Sequence, residues 1–190
     1  MKRFKGFFWA NVDFYVTLSV LFTALSCLAV MAKTPPKDAG SRFGNLTIEM
    51  QWPVGSPSDL DLWVQPPGDR PIGYSRKTGK YCDLVRDDLG SEHDSASRAM
   101  EVVVCRQASP GEYIVNTHAY RFQEAEAIPV QLLVRGLHPE TNSIETLATR
   151  SITIDHMGQE VTAVKFTIGS DGQIDKDSIN NLQKGLRAGG

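Results

Sequence analysis

The chain carries few of the residues that chemistry usually needs. Its four histidines (His93, His118, His138, His156) are scattered without metal-ligand spacing, which excludes the compact histidine-based zinc signatures. Nucleophile-elbow, zincin and phosphate-loop motifs are missing, so catalysis finds no support. Charge of one sign is also short. The formal net charge is −2, which argues against a generic nucleic-acid binder. Charged residues make up 22% and hydrophobic residues 41%, a balance that excludes wholesale disorder. A length of 190 residues leaves room for one modest domain and an appendage, not for two full domains. Between the first forty residues and residue 175, no segment carries helical periodicity.

The small net charge hides two unlike parts. Residues 1–40 carry +3, from Lys2, Arg3, Lys5, Lys33 and Lys37 against Asp13 and Asp38, which leaves −5 on residues 41–190. From 7 to 32 the only formal charge is Asp13, and this stretch is long enough to span a hydrocarbon core of ~30 Å. The spacing predicts a cytoplasmic N-terminus over 1–6, a transmembrane helix over 7–32 and a linker over 33–44 rich in Pro, Gly and charge. Lys2, Arg3 and Lys5 place the N-terminus inside, and Phe7, Phe8, Trp9, Phe14 and Tyr15 provide an aromatic belt on that side. Two other readings of the segment stand beside this one. It is a cleaved signal peptide if Val30-Met31-Ala32 is a cleavage site, and a lipoprotein signal if Cys27 is acylated.

Asp13 is the most informative single residue. With the helix entering the membrane near Phe7, its carboxyl lies about 9 Å in. A charge at helix centre costs about 2.5–3.5 kcal/mol on insertion scales, and less toward the interface. Low dielectric also favours the protonated form, so the group is suited to binding and releasing a proton. If the helix begins instead at Phe14, Asp13 is a solvated N-terminal residue favoured by the helix dipole. The basic start, the single helix and Asp13 within Asn11-Val12-Asp13-Phe14-Tyr15-Val16-Thr17-Leu18 together resemble the ExbD/TolR/MotB class. The resemblance implies a rod-like subunit of an ion-driven motor that pairs as a homodimer in the bacterial inner membrane. Asp13 would carry the proton, a multi-span MotA/TolQ/ExbB-like protein would be its partner, and the C-terminal domain would lie in the periplasm.

Beyond the linker the periodicity changes to two. Leu46, Ile48, Met50 and Trp52 share one face of 45–52, and Leu60, Leu62 and Val64 alternate likewise. Further strands are predicted over 81–85, 100–106, 112–120, 128–135, 144–154 and 161–168. Turn clusters separate them, such as Pro66-Pro67-Gly68-Asp69 and Ser109-Pro110-Gly111. About eight or nine short strands predict an all-β, antiparallel β-sandwich over 45–170, followed by a polar tail over 171–190 that is either a short helix or disordered. His118 reads as a sheet-surface histidine, and Trp52 and Trp63 as core or rim residues.

Two constellations in this body bear on chemistry. Asp59 and Asp61 fall two apart on one strand face, and Asp87 and Asp88 add carboxylates from a nearby turn. Clustered oxygens suit a hard cation, so these four residues form a candidate Ca²⁺ site. In the alternative they are acidic loop residues that cap turns. Cys82 and Cys105 either pair as a disulfide, as an oxidising compartment permits, or remain two buried thiols. The runs Asp59-Leu60-Asp61-Leu62-Trp63-Val64, Pro67-Gly68, Arg86-Asp87-Asp88-Leu89-Gly90 and Pro110-Gly111-Glu112-Tyr113 together resemble bacterial periplasmic β-sandwich domains, some of them in membrane-anchored proteins with MotA/TolQ/ExbB-like partners. The expected function is therefore a non-enzymatic membrane-anchored motor subunit. The alternative is a tethered periplasmic binding module without ion coupling.

Overall fold

The structure, a computed structural model, describes residues 15–21, 46–90, 99–137 and 143–187. The chain divides into two units, 1–39 and 40–190. In the first, residues 15–21 are helical, and the apolar side chains Tyr15, Val16, Leu18, Val20 and Leu21 are exposed. Among the described residues no helix is long and apolar enough to cross a membrane; most of the span expected over 7–32, Asp13 included, lies outside them.

The described residues of the second unit form nine antiparallel strands: β1 (Leu46–Gln51), β2 (Asp59–Gln65), β3 (Cys82–Arg86), β4 (Met100–Cys105), β5 (Gly111–Arg121), β6 (Ile128–Leu137), β7 (Ile144–Ile154), β8 (Glu160–Ile168) and β9 (Ile174–Asn180). They form a five-stranded sheet, β3-β4-β1-β6-β7, and a four-stranded sheet, β2-β5-β8-β9. Alternation explains both. Leu46, Ile48 and Met50 of β1 turn to the same buried side, and so do Leu60, Leu62 and Val64 of β2. Side chains from both sheets meet in one core, in which Tyr113 of β5 stacks on Phe166 of β8 with ring centroids 5.1 Å apart. The Tyr113 hydroxyl accepts a hydrogen bond from Ser109 N–H at 2.8 Å, and burial pushes the phenol up to about 12.

Cys82 and Cys105 face each other across β3 and β4 and are joined by a disulfide. The segment read as a polar tail differs from that expectation. Ile174–Asn180 is a ninth strand on β8, and residues 181–187 then fold back as a strap over the outer face of the four-stranded sheet. The strap is anchored mainly by side-chain groups. Asn116 Nδ2 donates to Lys184 O at 2.8 Å, Lys184 N–H donates to Thr162 Oγ1 at 2.9 Å, and Leu186 N–H donates to Glu160 Oε1 at 2.8 Å.

Candidate functional site

Strand β2 lies at the edge of the four-stranded sheet yet is buried on both sides. Its core face is Leu60, Leu62 and Val64; its outer face is Asp59, Asp61 and Trp63. An edge strand presents unpaired backbone groups, and here two neighbours satisfy them. Val64 and Ile72 exchange backbone hydrogen bonds at 2.9 and 2.7 Å, and Leu62 N–H donates to Glu101 Oε2 at 2.6 Å. The segment between β2 and β3 thereby roofs the outer face. Asp69 ties this roof together, accepting from Lys80 N–H, Arg70 N–H and the Arg76 guanidinium. Partial burial opposes its ionisation, but these three donors prevail and hold its carboxyl below the usual value. Gly73 lets the roof lie against the indole of Trp63, since a Cβ there would sit 2.6 Å from a ring carbon.

The roof contributes Tyr74 to a row of aromatic rings with Trp63 and Tyr120. Tyr74 meets Trp63 edge-on, with centroids 5.5 Å apart and planes at 81°, and meets Tyr120 on its other side at 5.8 Å. Tyr74 is shared by two cavities of opposite character. One, of about 350 Å³, is lined by Asp59, Asp61, Asp87, Lys77 and Tyr120. The other, of about 440 Å³, is lined by Trp63, Arg70, Arg76, Leu186 and Arg187.

In the acidic cavity the carboxylates are engaged by protein groups. Asp61 Oδ2 lies 2.9 Å from His118 Nδ1, directly across the β2–β5 ladder. Arg187 bonds His118 Nε2, and a guanidinium only donates, so Nε2 is the acceptor and Nδ1 carries the proton given to Asp61. Burial raises the Asp61 carboxyl, while the hydrogen bond from His118 opposes that shift. Burial, then the charge of Asp61, pushes Asp59 up to about 6 against the pull of Arg121. Asp87 is paired with Lys77 Nζ at 2.6 Å.

These contacts correct two expectations. Asp59, Asp61 and Asp87 do converge, but Asp88 does not join them. Its oxygens accept from Gly90 N–H, Met100 N–H and Arg86, and these bonds shape the turn after β3. Among the described residues no group of three or more His, Cys, Asp or Glu side chains is placed to hold a metal ion. Lys77 pairs with Asp87, His118 bonds Asp61 and Arg121 pulls on Asp59, so each of the three converging carboxylates already has a protein neighbour. The second correction concerns His118, which lies on the outer face as its parity requires but is buried beneath the strap, 2% exposed.

Three side chains that shape the candidate site carry little or no signal in the sequence. Glu101 had a visible signal, because it shares the parity of Val103 and Cys105 in an otherwise apolar strand. Arg187 and Tyr74 had none, since both lie in irregular segments. Asp13 lies outside the described residues. Comparison of the chain with protein-family models, curated proteins and solved structures finds no match.

Proposed function

We propose that this chain is a non-enzymatic, membrane-anchored subunit whose exported β-sandwich is a binding module, and that the outer face of the four-stranded sheet is its docking face. One observation carries the reading: a row of aromatic rings flanked by two open cavities of opposite charge, framed by the roof and the strap. Binding sites combine an apolar floor with a few fixed polar groups in this way. Catalysis is not implied. His118, the one buried histidine of the site, has both ring nitrogens occupied by Asp61 and Arg187, which leaves neither nitrogen for proton transfer.

A second reading adds ion coupling and rests on Asp13, the lone acid in an apolar stretch beneath a basic N-terminus. As in the ExbD/TolR/MotB class, two helices would sit within a multi-span partner and Asp13 would relay protons. A unit charge moving through 100 mV is worth ~2.3 kcal/mol. Complementation of a chromosomal deletion tests both readings. Tyr74→Ala should fail to complement while melting like the parent chain; full complementation would remove the docking face. Asp13→Asn should insert and assemble normally yet fail if ion coupling is real; normal function would leave the binding module alone.

A further inference from the structure

We propose that the cavity lined by Trp63, Tyr74, Arg70, Arg76, Leu186 and Arg187 binds a small organic anion, a carboxylate or phosphate carried on an apolar body that rests against Trp63 and Tyr74. This deepens the docking-face reading and rests on it. At about 440 Å³ the cavity falls within the size of small-molecule sites, ~300–1,000 Å³.

The charge balance selects the ligand. Three guanidiniums converge on the cavity, and they are not equally compensated. Arg76 is neutralised by Asp69, with Nη2 at 2.8 Å from Oδ1, while Nη1 donates to Arg70 O at 2.8 Å. It is a fixed part of the wall. Among the described residues, the Arg70 side chain has neither a carboxylate nor a hydrogen-bond acceptor. Arg187 donates to His118 Nε2, a ring nitrogen and not a carboxylate, with Asp61 on the far side of the imidazole. Two cationic forks are thus held at one cavity mouth without a carboxylate in contact. A guanidinium recognises carboxylate and phosphate oxygens through paired N–H donors. The apolar half of the ligand follows from the walls. Trp63 is 7% exposed and packs with Ile114 and Leu186, and Tyr74 stands edge-on to it, so the cavity offers ring surfaces on one side and the Leu186 side chain on the other. An inorganic anion would leave the exposed ring of Tyr74 and the rim of Trp63 uncovered, and an uncharged aromatic would leave Arg70 and Arg187 unanswered. An amphiphilic anion satisfies both.

Leu186 and Arg187 come from the strap, so the site is complete only while the strap is docked. The roof supplies Arg70 and Tyr74, and the sheet supplies Trp63. Three separate segments therefore converge on one ligand position.

The test uses the purified full chain and four probes: phenyl phosphate, benzoate, inorganic phosphate and benzyl alcohol. Binding is followed by tryptophan fluorescence, with Trp63→Phe identifying the reporter. Phenyl phosphate or benzoate should give saturable binding with a Kd of about 1 mM or tighter, and which of the two binds better distinguishes a phosphate from a carboxylate ligand. Arg70→Gln, which removes no contact among the described residues, should weaken that binding about tenfold with an unchanged melting temperature. Arg187→Gln should weaken it as well. Inorganic phosphate and benzyl alcohol should bind far more weakly. Benzyl alcohol binding as tightly as the anions, an unchanged Kd in both arginine variants, or no saturable signal from either organic anion would overturn the proposal. The docking-face reading fails separately, through full complementation by Tyr74→Ala, and that result leaves the in vitro binding constants untouched.

Discussion

At the scale of a residue, Glu101 shows how one buried carboxyl can fix the edge of a sheet. It points inward from β4 and is 1% exposed. One oxygen accepts the Leu62 N–H of β2; the other has, among the described residues, no donor of its own and faces Asp87, whose Oδ1 is likewise buried without one. Two carboxylates bond each other only if one keeps its proton. Burial pushes Glu101 well above its ordinary 4.5, so Glu101 is the protonated partner and donates to Asp87, which is held in turn by Lys77. The sign of the pH effect follows. A folded state that keeps a proton the unfolded chain has lost becomes less stable as pH rises from about 4.5 toward the folded value. Glu101→Gln preserves the acceptor for Leu62 and supplies a permanent N–H for Asp87. Its melting temperature should match the parent near pH 4 and exceed it increasingly toward pH 8. Glu101→Ala should cost about 1–3 kcal/mol at pH 4, because Leu62 N–H then lacks a partner. A constant difference between Gln variant and parent across that range would refute the protonated pair.

At the scale of an element, the strap decides whether the outer face exists as a site. Leu186 packs on Trp63 and Ile114, and its backbone is pinned by Glu160. Leu186→Ala should cost about 2 kcal/mol in urea unfolding with an unchanged slope, and should shift Trp63 emission to the red; an unaltered spectrum would mean the strap is not seated. The strap and β9 also mark where the sequence stops being readable. Strands β1 to β8 were legible to within a residue or two at most ends, because strict alternation such as Leu46-Thr-Ile-Glu-Met sorts side chains between core and surface. β9 reads Ile-Asp-Lys-Asp-Ser-Ile-Asn, with two apolar residues in seven, and sits at a sheet edge where little burial is demanded of it. The strap is held largely by Asn116, Thr162 and Glu160, a pattern of side-chain bonds that has no period. The site was half legible for the same reason. Asp59 and Asp61 announce themselves by spacing, but their partners His118, Lys77 and Arg121 come from segments that only the fold brings near.

At the scale of the whole molecule, stability and site geometry meet at the disulfide. β3 is a five-residue edge strand at the end of the long roof segment. Its hold on β4 must keep that segment in place over Trp63, and Cys82–Cys105 makes the hold covalent. Both cysteines are fully buried, so a reductant reaches them only when β3 opens. In the chain-entropy account, bridging a separation of 23 residues removes about 3 kcal/mol of unfolded-state freedom. The double variant Cys82→Ala, Cys105→Ala should therefore unfold about 3 kcal/mol more easily. Because β3 carries the roof, local opening should become more frequent before global unfolding does, and amide exchange should rise first along 72–86. Exchange that rises evenly across both sheets would show instead that the bond acts only on the unfolded chain and that the roof is held by Asp69 and the Val64–Ile72 bonds alone. The same chemistry bears on location, since a bond of this kind persists only where thiols are not kept reduced. A chain retained in a reducing compartment should melt at the temperature of the double variant, and one sent across the membrane at that of the parent.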